Sequence, residues 1–164
     1  MKVVRSTNGV EVLVDDEDFE KISMLNWHVS RKGYAVNIVK SKGTRRELNM
    51  HRYVMGLEST DPRIVDHING NRIDNRRSNL RICTKAQNGW NQGKQKTNKT
   101  GYKGVSKNSC CDSFCAQIRC NGVKHHLGSY PTAEEAYEVY CLAADLLHGE
   151  FANHGTGKGA NHAE

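Results

Sequence analysis

The chain has 164 residues, 37% of them hydrophobic and 26% charged, enough for one ordinary domain or two small ones and too little for a large enzyme. Its apolar runs are only a few residues long, and the N-terminus MKVVRSTNGVEVLVDD lacks the unbroken apolar stretch of a signal peptide or membrane span, so a soluble, cytoplasmic protein with no membrane partner is expected. The net charge of +6 is unevenly spread: residues 1–50 carry +2, 51–100 carry +6 and 101–164 carry −2.

No acidic residue stands between Asn75 and Cys111, where Arg76, Arg77, Arg81, Lys85, Lys94, Lys96, Lys99, Lys103 and Lys107 fall. Solvated faces normally mix signs, so a one-signed stretch of this length points to a polyanion, and nucleic acid is the expected partner.

In chain order, Val10, Val12 and Val14 alternate and predict a strand, after which Asp15–Asp18 open a brief helix carrying Phe19, Ile22 and Leu25. Tyr34, Val36 and Ile38 alternate again. A turn at Lys42–Gly43 returns the chain through Arg45–Leu48, and a short helix follows over Met50–Met55. Residues 1–50 read as a β-rich module, 51–92 as a second segment, and 93–100, GKQKTNKT, as a solvated basic linker with no apolar side chain. Beyond it, Phe114, Ala116 and Ile118 alternate, Asn121–Gly122 is a hairpin-turn dipeptide, and Val123–Leu127 supplies the return strand. Thr132-Ala-Glu-Glu135 is a capping box opening a helix whose stripe is Ala136, Tyr137, Val139, Tyr140, Ala143, Ala144 and Leu147, with Gly149 as its stop. A three-stranded antiparallel sheet on one helix over 101–154, and a flexible tail over 155–164, complete an α+β fold.

The six cysteines, Cys83, Cys110, Cys111, Cys115, Cys120 and Cys141, include no Cys-x-x-Cys pair. Cys111, Cys115 and Cys120 with His125 and His126 are the one grouping with a zinc-like donor set; reduced thiols and no structural zinc are expected.

Chemistry concentrates between Val65 and Asn88. Asp66 and His67 end an apolar run, Asn69-Gly-Asn-Arg72 is turn chemistry, Asn79-Leu-Arg-Ile starts a second strand, and Thr84-Lys-Ala-Gln87 caps a helix that carries Asn88 one turn in. Asp74 and Asn75 have a bland reading as turn formers. Neighbours on a strand point to opposite faces, so Asp66 and His67 converge only where the strand ends, twists or bulges.

DHINGN, DNRRSNLR and Asn88 resemble the HNH motif of ββα-metal endonucleases, especially the phage and intron-encoded homing type, over about forty residues. The resemblance implies His67 as the general base, Asp66 and Asn88 as ligands of one divalent cation, and Asn79 as the middle Asn that braces the loop. Phosphodiester hydrolysis needs a neutral imidazole near pH 7 and a hard cation; carboxylate and amide oxygens suit Mg²⁺ or Mn²⁺. The stretch Phe19-Glu-Lys-Ile-Ser, Trp27-His-Val-Ser, Gly33-Tyr-Ala-Val and Met50-His-Arg-Tyr-Val-Met-Gly56 is similar to what precedes that motif in phage homing enzymes. Trp27 reads as core; Arg31, Lys32, Arg45 and Arg46 flank the hairpin within reach of phosphates, and His51 and Arg52 have no assigned role.

Gly101-Tyr-Lys-Gly-Val105, FCAQIR and HLGSYPTAEEAYEVY with the Ala-rich helix resemble an AP2 DNA-binding domain over about fifty-five residues. The resemblance implies that the outer sheet face enters the major groove, at Lys103, Ser106, Gln117, Arg119, Lys124 and His126. Ser106 stands where that family usually has Arg, and His126 where it usually has Trp, which implies altered or weaker sequence choice.

The expected function is a metal-dependent, site-preferring endonuclease acting on double-stranded DNA and leaving 5′-phosphate and 3′-hydroxyl ends, with Arg76, Arg77, Arg81, Lys94, Lys96 and Lys99 adding DNA contacts and no protein partner implied. The alternative is a DNA-binding regulator with a vestigial nuclease centre; intact Asp66, His67, Asn79 and Asn88 argue against it. An RNA-binding module needs more exposed aromatics than Trp27 and Trp90 offer.

Overall fold

The structure, a computed structural model, describes residues 1–41, 43–58 and 60–155; Lys42 of the expected hairpin turn and 156–164 of the expected tail lie outside the described residues. The chain divides into two compact units, Met1–Thr84 and Lys85–Glu164.

In the first unit, β1 (Lys2–Arg5) pairs antiparallel with β2 (Glu11–Val14), Lys2 opposite Val14. Sequence reading had no partner for β2, because KVVR is too short to alternate visibly. The Ser6 hydroxyl closes the turn by donating to the Val10 carbonyl and accepting the Val10 N–H. Helix α1 (Asp16–Ser23) places three acids in its first turn, where they oppose the helix dipole. Strands β3 (His28–Val29), β4 (Ala35–Ser41) and β5 (Thr44–Asn49) form an antiparallel sheet in that order, and α2 (Met50–Val54) follows directly. A two-stranded ribbon, β6 (Ile64–His67) and β7 (Leu80–Cys83), completes the unit.

One core joins these parts: Val12, Val14, Ile22, Trp27, Met50 and Val54 cluster with Val65 and Leu80. Residues 1–50 therefore do not close a core of their own, contrary to the boundary expected at residue 50. Each of the short elements has a single apolar face, and none buries it without the others. Trp27 is core, as expected; it is 1% exposed and its indole N–H donates to the Ile22 carbonyl. The segment before β7 also lies along β2, where the Leu13 N–H donates to the Ile73 carbonyl and the Asn75 N–H to the Leu13 carbonyl.

The second unit holds α3 (Lys85–Trp90), β8 (Val105–Lys107), β9 (Phe114–Cys120), β10 (Val123–Tyr130) and α4 (Ala133–His148), with sheet order β10-β9-β8. The β9–β10 turn is the anticipated one: Asn121 and Gly122 both take positive φ, 49° and 82°, the pairing a tight two-residue hairpin demands. β10 runs past Leu127 to Tyr130 by absorbing a bulge between His126 and Gly128. The Thr132 side chain accepts from the Glu135 N–H at 3.2 Å, and α4 ends at Gly149 with positive φ. Ala116, Ile118, Ala136, Tyr140 and Ala144 are buried between sheet and helix. Gly104 is there because a Cβ would overlap the Tyr140 ring. Leu147, expected on the buried stripe, is 41% exposed; the buried face of α4 runs through Ala133, Ala136, Tyr140, Ala144 and His148.

Residues 85–92, expected with the nuclease motif, cluster with this second unit. Trp90 stacks on His148 with centroids 4.5 Å apart and planes within 7°, and Asn153 donates to the Asn91 carbonyl. Cys115 and Cys120 lie at opposite parity on β9: Cys120 is buried with its thiol toward the Leu147 carbonyl, while the Cys115 sulfur is 3.2 Å from His126 Nδ1. No helix among the described residues is long and apolar enough to cross a membrane.

Candidate active site

The loop between β6 and β7 is built from its own polar side chains. Asn79, 6% exposed, accepts the Asn69 N–H at 2.9 Å through Oδ1 and donates to the Asp74 carbonyl at 2.8 Å through Nδ2, pinning two points of the loop from one position. Asp74, 2% exposed, takes both arms of the Arg76 guanidinium at 2.7 Å and the Asn69 amide at 3.0 Å. The Arg76 bonds hold the Asp74 carboxyl below the usual carboxylate range. Arg77 reaches back to α1, donating to both oxygens of Asp18 at 2.8 Å.

His67 ends β6. The ladder stays regular through His67 opposite Leu80, so alternation sends Asp66 and His67 to opposite faces of the ribbon. Asp66 meets its cross-strand neighbour Arg81, whose Nη2 donates to Oδ2 at 3.0 Å. On the other face His67 is 4% exposed, its Nε2 is 3.3 Å from Asn75 Oδ1, and its ring packs edge-on to His51 at 5.1 Å and beside Tyr34 at 6.0 Å. Arg72 covers the outer side of Tyr34, 4.6 Å from the ring centroid, and donates to the Lys32 carbonyl. Burial pushes the His67 pKa down, with the Asn75 hydrogen bond and the Asp66 charge pulling the other way. His51 is driven further, to about 3, by burial and by the neighbouring His67. Both rings are neutral at pH 7, the form in which an imidazole accepts a proton.

His67, Asn79 and Asp66 thus lie buried at one end of a two-stranded ribbon, with Asp66 on the face opposite His67. Asn88 lies in α3 of the second unit and is half-buried there. The arginines proposed for DNA are engaged in ion pairs, Arg76 with Asp74, Arg77 with Asp18 and Arg81 with Asp66; the Arg76 and Arg77 side chains stay 35% and 47% exposed, Arg81 only 12%. Sequence reading missed His51, Asn75 and Tyr34. His51 carried a signal, a polar residue set between the buried Met50 and Val54 of a short helix; Asn75 carried none, since a polar side chain in a polar loop reads as solvated.

On the second unit's sheet, Gln117 and Arg119 of β9 stand opposite His126 and Lys124 of β10, so the four share one face; Ser106 on β8 stands opposite Cys115 of the same face. Lys103 departs from this group: its ammonium donates to the Trp90 and Asn153 carbonyls at 2.8 Å, and burial lowers its pKa to about 8. Its charge is spent inside the unit. An open cleft of about 970 Å³ beside the sheet is lined by Trp90, Lys94, Lys99, Lys107, Arg119 and Lys124 and, among the described residues, by no carboxylate.

The sequence model of an HNH endonuclease family matches residues 58–90, which span β6, the braced loop, β7 and α3. The chain is 31% identical over 88 residues to Protein 3.8 of Escherichia phage T7, covering 54% of this chain and 72% of that one. It is 32% identical over 148 residues, 88% of this chain and 74% of the other, to an uncharacterised HNH endonuclease of Acanthamoeba polyphaga mimivirus. With that identity sustained over most of both proteins, and the family's own sequence model falling on the loop that holds His67 and Asn79, the chain belongs to the HNH endonuclease family, whose reaction is nucleic-acid cleavage.

Proposed function

We propose that the protein is a metal-dependent endonuclease of the homing type that hydrolyses phosphodiester bonds of double-stranded DNA, with His67 as general base. The observation that carries the reading is His67 itself, a neutral imidazole held at a strand end by a hydrogen bond and two flanking rings, in a loop pinned by Asn79. His67 takes the proton of the water that attacks phosphorus, and the products carry 5′-phosphate and 3′-hydroxyl ends. Asn79 holds the loop; Arg81 orients the Asp66 carboxylate.

Nucleases of this family generally use a divalent metal. The donor chemistry fits one: the Asp66 carboxylate and Asn88 amide are hard oxygen donors suited to Mg²⁺ or Mn²⁺. Asp66 and Asn88 would hold such a cation, which would supply charge neutralisation for the phosphate and the departing oxygen.

The second unit is the recognition module in this reading, AP2-like in its three-stranded sheet on one helix. Ser106, Gln117, Arg119, Lys124 and His126 read bases from the outer face, and Lys94, Lys96 and Lys99 hold phosphates, consistent with a cleft that carries only cationic charge. Arg76 and Arg77, still partly exposed beside their carboxylates, add phosphate contacts.

The test is a duplex-cleavage assay with Mg²⁺ or Mn²⁺, with and without EDTA, on wild type and His67→Ala. Cleavage that needs the cation and the imidazole supports the reading; cation-independent cutting, or full activity of His67→Ala, overturns it. DNA binding with no cleavage under any cation favours the regulator with a vestigial centre.

A further inference from the structure

The nuclease reading leaves one side chain at the site unused. Asn75 is 1% exposed, its Oδ1 lies 3.3 Å from His67 Nε2, and its Nδ2 is buried without a hydrogen-bond partner among the described residues. A buried orphan donor loses its water without replacement, and an apolar side chain of the same shape avoids that cost, so a purely structural role does not account for an amide here. The backbone around it is fixed independently: the Asn75 N–H donates to the Leu13 carbonyl at 2.8 Å, and the neighbouring Asp74 is clamped by Arg76 and Asn69. His51 and Tyr34 wall the His67 ring, so its rotation is restrained as well.

Resting on the assignment of His67 as the base, we propose that Asn75 is a positioning residue that selects the tautomer of that base: its Oδ1 receives the Nε2 proton, which leaves the lone pair on Nδ1 to take the proton of the attacking water. The atom count is simple. Nε2 keeps its hydrogen throughout, Nδ1 gains the water proton, and the imidazolium so formed is stabilised by the same Nε2–H to Oδ1 bond. An amide does this without burying a second charge, which a carboxylate at 1% exposure would require.

The experiment is long-range ¹H–¹⁵N NMR of the His67 ring in the metal-free full-length chain at pH 7.5, with kcat and KM measured alongside. Wild type is expected to show the Nε2–H tautomer alone. Asn75→Leu, which keeps the shape and removes the acceptor, is expected to show a mixture of tautomers and a kcat lower by about 10–100-fold with KM unchanged. Asn75→Asp, which keeps an acceptor oxygen, should retain the Nε2–H tautomer and recover part of kcat. An Nδ1–H tautomer in wild type, or a folded Asn75→Leu protein with unchanged spectrum and kcat, overturns the proposal. Should Asn75→Leu fail to fold, a wild-type spectrum with Nε2–H and its retention in Asn75→Asp support the proposal, and loss of that tautomer in a folded Asn75→Asp overturns it. The spectrum reports on the hydrogen bond whether or not the protein cleaves, so failure here is distinguishable from failure of the nuclease assignment under His67→Ala.

Discussion

The two units use polar residues in opposite ways. Of the ten polar or charged residues buried among those described, eight, including Asp66, His67, Asp74, Asn75 and Asn79, lie in residues 1–84, and only Asn91 and His148 lie beyond. The first unit also spends its loop arginines on its own carboxylates. In the second, Arg119 and Lys124 are exposed on one sheet face beside a cleft without acidic lining. The contrast is the one that the chemistry proposed for each unit needs. A base must be held to a fraction of an ångström in a medium that strengthens each hydrogen bond, whereas phosphate contacts act at longer range and need cations left accessible.

The comparison breaks most visibly at His67. His67→Ala should lower the cleavage rate by about 10²–10⁴-fold while DNA affinity, which the proposed function assigns mainly to the second unit, stays nearly intact; a parallel loss of binding in a mobility-shift titration would erase the division of labour. Asn79→Ala comes next. It removes two hydrogen bonds inside a buried loop and should cost the first unit about 2–3 kcal/mol in urea unfolding, with the second unit's transition unmoved.

Acid sharpens the same contrast. In the folded chain His51 titrates only near 3, against 6.5 when unfolded, so the unfolded state takes up the extra proton as pH falls. Stability is therefore full above pH 6.5 and declines below it, by about 2 kcal/mol at pH 5. The downward shift of His67 adds in the same direction. His51→Phe should flatten the acid limb of a pH series of melts; an unchanged slope would mean that His51 is not the group responsible.

Smaller effects belong to the second unit. Replacing Lys94, Lys96 and Lys99 together should weaken binding to all DNA alike and reduce the salt slope by about 0.9 for each phosphate no longer neutralised. Arg119→Ala should leave general affinity almost unchanged and alter which sites are cut, through about 1–3 kcal/mol of base discrimination. Cleavage-site profiling of both variants at two salt concentrations separates them; a shifted site preference in the lysine variant with only general weakening in Arg119→Ala would reverse the roles.

Features that depend only on neighbours along the chain were legible from the residues. The positive-φ turn at Asn121–Gly122, the Thr132 cap and the alternation of β9 each rest on a few consecutive residues, and the structure has them where those residues say. The spacing of His67, Asn79 and Asn88 carried the family in the same way. The tertiary structure alone decided that 1–50 share a core with Val65 and Leu80, that residues 85–92 pack with the C-terminal sheet, and that Asn75, readable as a turn former, faces His67. It also decided that the Lys103 ammonium is turned inward onto the carbonyls of Trp90 and Asn153. Burial and pairing depend on residues far away in sequence, such as Tyr34 and His51 around His67, and no local pattern encodes which polar side chain will lose its water.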